Sequence, residues 1–240
     1  MSNLQSDVAE VKLSAIAAVF FDFGETLATL APSKEEIFIK AACSVGLDLD
    51  IKSVRRAYQI VDFHNKYSSV HVNDHDGFYQ HYNEQLCEAL GISSHVAELV
   101  PALAARFRQE KSWKLIEDVL PVLSRLNDSG VPMALVANWD SNLSSLVEQL
   151  GVRQFFLSIV SSREAGAEKP DPAIFRLALQ RLSLLDARQP ILYVGNEYRA
   201  DVLGPRAVGL TPVLIDRSSS YPNADCLRFT SLLKWLEAMQ

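Results

Sequence analysis

Four short apolar runs punctuate an otherwise mixed chain. Ala15-Ile16-Ala17-Ala18-Val19-Phe20-Phe21 halts at Asp22-Phe23-Gly24-Glu25, and the runs Pro132 to Ala137, Ile191 to Val194 and Thr211 to Ile215 meet polar residues just as abruptly. Short apolar runs without alternation suit strands buried on both faces, because a parallel sheet covered by helices leaves neither side to water. Helical periodicity lies between the runs at 142–150, 171–182 and 199–208, with Gly151 and Gly209 placed to end the first and last of these. Strands alternating with helices predict an α/β class, a Rossmann-like parallel sheet core flanked by helices. Phe155 to Val160 is expected to add a short strand to the same sheet, with Phe155-Phe156 open to being the plug of a helix end instead. Phe229 to Leu236 reads as an amphipathic helix packing back on the sheet.

The alternation is lost between about Pro32 and Trp113. Long helical stretches there are broken by polar segments at Ser68-Ser69, Asn73 to Gly77 and Ser93-Ser94. This predicts an inserted all-helical domain over 32–113, with 1–31 and 114–240 forming the α/β core. No internal repeat or low-complexity tract interrupts either part.

Composition narrows the function classes. A chain of 240 residues suits one large domain or two small ones, and 48% apolar with 22% charged residues excludes disordered and fibrous classes. The net charge of -6, with no local run of Lys and Arg, argues against nucleic acid or an anionic membrane as partner. No apolar run approaches the roughly 18 residues of a membrane span. Cys43, Cys87 and Cys226 are odd in number and far apart, which fits free thiols in a reducing compartment. The segment Met1 to Lys12 lacks the apolar run of an export signal, so a cytoplasmic setting is expected.

Open parallel sheets bind ligands beyond the carboxyl ends of their strands, where loops and helix N-termini converge. The most reactive polar residues fall at such places. Asp22 ends the first run, Asn138 and Asp140 follow the second, and Asn196, Glu197 and Asp201 follow the third, while Lys169 sits in Glu168-Lys169-Pro170-Asp171-Pro172 ahead of a helix. The predicted fold gathers all four places.

Their order carries a resemblance. Phe21-Asp22-Phe23-Gly24-Glu25-Thr26-Leu27, Leu135-Val136-Ala137-Asn138-Trp139-Asp140, Glu168-Lys169-Pro170-Asp171-Pro172-Ala173-Ile174-Phe175 and Val194-Gly195-Asn196-Glu197-Tyr198-Arg199-Ala200-Asp201-Val202-Leu203-Gly204 resemble the four motifs of the haloacid dehalogenase-like hydrolase superfamily. The resemblance spans residues 15–216, with the insertion where that superfamily carries its helical, C1-type cap. Asn138-Trp139-Asp140 and Lys169-Pro170-Asp171-Pro172 are similar to its phosphatase-like branch.

The resemblance implies a Mg²⁺-dependent phosphatase of a small phosphorylated metabolite, acting through an aspartyl-phosphate intermediate. Asp22 takes the part of nucleophile, since an ionised aspartate attacks phosphorus and splits hydrolysis into two easier steps. Asp22, the carbonyl of Gly24 and Asn196 take the metal, with Asp201 as an outer or alternative ligand. Lys169 balances charge between nucleophile and phosphoryl group, and Thr26, Asn138 and Lys169 bind substrate.

Three positions depart from the family pattern. Gly24 stands where its phosphatases carry a second aspartate as general acid and base, a function typically worth about 10² to 10⁴ in rate, and Glu25 is the neighbouring substitute. Ala137 replaces a Ser or Thr that binds the phosphoryl group, and Asn196 replaces an acidic metal ligand, so catalysis is expected to be weakened. These departures keep open a non-hydrolytic protein that binds a ligand or partner, or does acid–base chemistry, on the same scaffold. A 2-haloacid dehalogenase ranks third, because that branch has an aromatic residue in place of Gly24 and an early arginine, and here no arginine lies between Asp22 and Arg55.

All five histidines, His64, His71, His75, His81 and His95, fall in the insertion, four of them near Tyr67, Tyr79, Tyr82 and Asp74. Their spacing fits no established zinc pattern. A polar cap face suited to selecting substrate and excluding water is the simpler reading. Trp113, Trp139 and Trp235 read as packing residues, with Trp139 nearest the motifs.

Overall fold

The computed structural model describes the backbone of residues 13–65, 75–110 and 112–239, and their side chains apart from 63–65, 75–79 and 110. The first apolar run forms β1 (Ala18–Phe21), fully buried at all four positions. β2 (Ala28–Ala31) leads into helices α1 (Lys34–Ser44), α2 (Ile51–Asn65), α3 (His75–Ala89) and α4 (Val96–Glu110), and the chain returns through β3 (Ser112–Leu115), which pairs with β2. Strands and helices then alternate: α5 (Val119–Asp128), β4 (Met133–Ala137), α6 (Leu143–Gln149), β5 (Ser158–Ser161), α7 (Pro172–Arg181), β6 (Ile191–Gly195), β7 (Thr211–Ile215), β8 (Leu227–Phe229) and α8 (Leu232–Ala238).

Six strands form one sheet in the order β5-β4-β1-β6-β7-β8, with every neighbouring pair parallel. The register sets Phe21 beside Leu135 of β4 and Val194 of β6. Asp22, Asn138 and Asn196, each just beyond one of these strands, therefore leave the sheet at its carboxyl edge. The strand order reverses beside β1, the kind of place where ligands bind in open α/β sheets.

Successive side chains of a strand face opposite sides, and β1 uses both. Phe20 joins Val136, Val160, Ile174, Phe175 and Tyr193 in the core under α7. Phe21 meets the edges of Phe156 and Trp235, at ring separations of 6.4 and 6.0 Å. Fully burying such a side chain contributes about 1.5–3 kcal/mol, so the apolar run holds the sheet between two layers. α7 starts where Asp171 accepts from the Ala173 N–H at 2.8 Å and Pro172 opens the first turn with its φ already suited to helix.

The chain divides into two compact units, one holding the residues up to Thr29 and from Lys114 onward, the other Leu30–Trp113. The second has its own core, in which Ile37, Phe38, Val54, Tyr58, Leu86 and Leu103 are buried among α1–α4. α1 begins with a capping box, Ser33 Oγ accepting from Glu36 N and Glu36 Oε2 accepting from Ser33 N.

Several expectations need correction. Phe229 ends β8 instead of opening a helix: it lies level with Ile215, and its carbonyl accepts from Asp216 N at 2.8 Å. The helix starts after Ser231, whose hydroxyl accepts from Lys234 N. The segment 199–208 is a π-helical turn, Arg199–Leu203, followed by a short helix, Gly204–Arg206. Phe155 closes a 3₁₀ turn and the strand begins at Ser158, so both alternatives for that segment hold in part. Of the polar breaks in the insertion, Ser93–His95 is a 3₁₀ turn between α3 and α4, and His75 already starts α3. Ser68-Ser69 and residues 73–74 lie outside the described residues. Gly151 and Gly209 do end their helical segments, with φ of 71° and 80° that β-carbons disfavour.

Candidate active site

A tight loop after β1 shapes the first part of the site. Asp22 N donates to Val194 O, Leu27 N and Ala28 N both return to Phe23 O, and Glu25 takes a left-handed φ of 57°. This curl folds Thr26 back so that its hydroxyl donates to Asp22 Oδ2 at 2.9 Å. Both oxygens of Glu25, which is exposed, accept from Thr29 Oγ1 at 3.0 and 3.1 Å.

Lys169 supplies the opposing charge. Its ammonium group, almost wholly buried, donates to Asp22 Oδ1 at 2.6 Å, Asp201 Oδ1 at 2.7 Å and Tyr193 OH at 3.0 Å. An ammonium has three hydrogens, so this set uses all of them. Asn138 fixes the backbone beneath: its Nδ2 donates to Lys169 O at 3.0 Å and its Oδ1 accepts from Lys169 N at 2.7 Å. The end of β4 and the loop before α7 are thereby clamped together.

Asp201 closes the array. Its Oδ2 accepts from the N–H groups of Asn196 and Glu197 at 3.0 and 2.9 Å while Oδ1 takes Lys169. Gly195 makes this possible, because a β-carbon there would stand 2.3 Å from Asp201 Cγ. Glu197 accepts from Arg199 N and Ala200 N and so caps the π-helical turn.

Two carboxylates around one buried ammonium perturb one another. Burial pushes the Asp22 carboxyl up to about 6, a rise that Lys169 opposes and Asp201 reinforces. Burial disfavours the charge on Lys169, yet Asp201 and Asp22 outweigh it and hold the ammonium well above the ordinary lysine range. Burial likewise raises the Tyr193 phenol, which stays protonated and donates to Val136 O at 2.8 Å.

Asn196 faces the Asp22 loop. Its terminal amide lies 3.0 Å from Gly24 O, 3.0 Å from Thr26 Oγ1 and 3.2 Å from Asp22 Oδ2. Neighbouring oxygens of an octahedral Mg²⁺ site are separated by about 2.9 Å, so an amide oxygen here would stand from the Gly24 carbonyl and the Asp22 carboxylate at a spacing that fits such an ion. Asp201, expected as an outer or alternative ligand, commits its oxygens to Lys169 and two backbone N–H groups. Among the described residues no group of three or more His, Cys, Asp or Glu is placed to hold a metal. The side chains of His64, His71 and His75 lie outside the described residues; His81 neighbours Gln85 and Glu84, and His95 neighbours Ser94.

The sequence missed three supports. Tyr193 was legible in principle as the one polar-tipped residue of an otherwise aliphatic buried strand. Arg217 donates to Thr26 O at 3.3 Å and, through both Nη atoms, to Asp118 at 2.8 and 3.0 Å, which braces the loop behind Thr26. Nothing local marks that pair, whose members lie far apart in the chain. The third is the Asn138 side chain, expected among the substrate-binding groups and found holding the Lys169 backbone. Trp139 packs edge-on against Phe23 at 5.1 Å, beside Ala137 at the end of β4.

A family model described as haloacid dehalogenase-like hydrolase matches residues 16–209. The human haloacid dehalogenase-like hydrolase domain-containing protein 3 is 32% identical over 122 residues, 50% of this chain and 47% of that protein, so the match spans about half its length. The glyceraldehyde 3-phosphate phosphatase of Methanopyrus kandleri is 28% identical over 213 residues, 84% of each chain. The solved HAD-hydrolase YfnB of Bacillus subtilis superposes with a TM-score of 0.67 at 16% identity, covering 93% of this chain and 98% of that one, a likeness of fold.

Proposed function

This chain belongs to the haloacid dehalogenase-like hydrolase family, and we propose that it is a Mg²⁺-dependent phosphatase of a small phosphate ester with Asp22 as nucleophile. The observation that carries this is the grip of Lys169 on Asp22 Oδ1 at 2.6 Å, braced by Asp201 and Tyr193. A carboxylate aimed by a buried ammonium is preorganised for attack on an anionic centre. The alignment over 84% of each chain with a glyceraldehyde 3-phosphate phosphatase supports a small phosphate ester as substrate.

In this reading Asp22 forms a bond to phosphorus as the bond to the ester oxygen breaks, and the departing alkoxide takes a proton. Water then attacks the aspartyl phosphate, releasing inorganic phosphate and restoring Asp22. Thr26 steadies Oδ2 of the nucleophile, Lys169 offsets charge on the phosphoryl oxygens, and the Asn138 backbone N–H receives one of them. Gly24 has no group for the protons, so Glu25 is the carboxylate assigned to them. Asp22, the Gly24 carbonyl and Asn196 would hold Mg²⁺, which when bound neutralises repulsion between nucleophile and phosphate. The helical unit serves as the cap that selects substrate, and the free thiols of Cys43, Cys87 and Cys226 support a cytoplasmic setting.

The test is phosphate release from a panel of sugar, nucleotide and acid phosphates with Mg²⁺, alongside Asp22→Asn. At least one ester is hydrolysed by the wild type and none by the variant; activity surviving in Asp22→Asn sinks the mechanism. Gly24 and Ala137 favour a second reading, a non-hydrolytic binding protein, which expects no turnover across the panel and no saturable Mg²⁺ binding in calorimetry. Chloride release from a 2-haloacid in the presence of chelator would instead select the dehalogenase.

A further inference from the structure

An amide presents two chemically opposite ends, and a half-turn about its last side-chain bond exchanges them with little movement of anything else. At Asn196 the exchange has consequences, because the terminal atom faces three oxygens at once: Thr26 Oγ1 and Gly24 O at 3.0 Å and Asp22 Oδ2 at 3.2 Å.

With nitrogen turned inward, the amide donates to the Gly24 carbonyl, the Asp22 carboxylate and the Thr26 hydroxyl, its two hydrogens shared among three acceptors. Thr26 gives its one hydrogen to Asp22 Oδ2 at 2.9 Å. The ring of Asn196, Thr26 and Asp22 then closes with each donor matched to an acceptor. With oxygen turned inward, the amide accepts from Thr26 Oγ1 at 3.0 Å but meets Gly24 O and Asp22 Oδ2 oxygen to oxygen. That second arrangement is favourable with a cation among the oxygens, at the spacing such an ion requires.

We propose that Asn196 is a two-position switch: its amide nitrogen closes the Asp22–Gly24–Thr26 group without a cation, and its amide oxygen turns in when a divalent cation binds. The inference rests on reading this group as a cation site. An aspartate at 196 has no donor for the first position and would set a second carboxylate against Asp22. The asparagine therefore keeps the metal-free site satisfied, at the expense of cation affinity, and ties Asp22 Oδ2 to an N–H until metal arrives. Such a site responds to the free Mg²⁺ concentration instead of being permanently loaded.

Thermal unfolding and calorimetry, with MgCl₂ or EDTA as the only additions, compare the wild type with Asn196→Asp. In EDTA the variant should melt about 3 °C or more below the wild type. Titration with Mg²⁺ should reverse that order and show binding about tenfold tighter in the variant, which has one more ligand charge. Equal melting in EDTA with equal gains from Mg²⁺ overturns the switch and leaves the cation site standing. No Mg²⁺ response from either protein overturns both.

A second measurement uses the wild type alone, in case the variant fails to fold. The Asn196 side-chain NH₂ of ¹⁵N-labelled protein should be protected from hydrogen exchange in EDTA and lose protection on saturation with Mg²⁺. An unprotected NH₂ in EDTA, or protection indifferent to Mg²⁺, overturns the proposal.

Discussion

Tyr193 OH accepts from Lys169 Nζ at 3.0 Å and donates to Val136 O at 2.8 Å, joining the middle of β6 to the end of β4 through the cation that holds Asp22. The phenol thereby fixes the third hydrogen of an ammonium whose other two face carboxylates. Removing it leaves Lys169 and a buried carbonyl each one partner short. Tyr193→Phe should lose about 1–3 kcal/mol of stability. On the phosphatase reading its kcat should fall about tenfold or more with KM little changed, because misaimed groups act on the chemical step. Urea unfolding and steady-state kinetics on one preparation check both.

Asn138 holds the Lys169 backbone from two sides. Asn138→Ala deletes both bonds and leaves Lys169 N and O without them, so about 1–3 kcal/mol is expected, measurable by urea unfolding. Asn138→Asp keeps the acceptor for Lys169 N and loses the donor to Lys169 O, and should fall between alanine and wild type.

Gly195 and Gly209 should respond differently to alanine. At Gly195 a methyl would overlap Asp201 side-chain atoms at 2.3–2.5 Å, forcing apart the contact that orients Lys169. Overpacking of this kind costs about 1–3 kcal/mol, and activity should fall with it. At Gly209 a methyl meets open space, and the strain comes only from φ of 80°, about 1 kcal/mol. Comparing the ratio of activity to stability between the two variants separates site disruption from backbone strain.

Asp118 and Arg217 form a bidentate pair on which the Leu232 N–H also converges, at 2.8 Å. Arg217→Met strands a nearly buried carboxylate and frees Thr26 O. Breaking one partner of such a pair should cost about 3 kcal/mol, read by denaturant unfolding. The double variant Asp118→Leu with Arg217→Met should recover part of that loss, since no unpaired charge remains.

Asp216 sets an acid limb to stability. Burial alone would raise its carboxyl, but the N–H of Tyr221, the Arg228 guanidinium and the N–H of Ser220 outweigh it and hold it below the ordinary value of 3.8. Folding therefore favours the ionised form. Its contribution is fully present above about pH 4 and disappears as pH falls through the lower folded value. Asp216→Asn should be less stable at pH 7, with the gap to wild type narrowing below pH 4 in a series of urea melts.

The amino-acid pattern determined what depends on local periodicity. The apolar runs, short and set between helical patterns, read as parallel strands covered on both faces, and parallel strands put Asp22, Asn138 and Asn196 at one edge. Lys169 was legible only as one member of an ordered set. Tertiary structure decided the rest. β8 is a strand because the edge of β7 offers Phe229 a ladder, against an amphipathic pattern that suits helix equally well. The Asn196 amide, the Tyr193 phenol and the Arg217–Asp118 pair acquired their roles from partners distant in the chain, and hydrogen-bond partners at such separation leave no period in a sequence. At Asp22 the sequence chose the residue, while burial, the ammonium of Lys169 and the carboxylate of Asp201 set how it is charged, and Lys169 and Thr26 set how it is held.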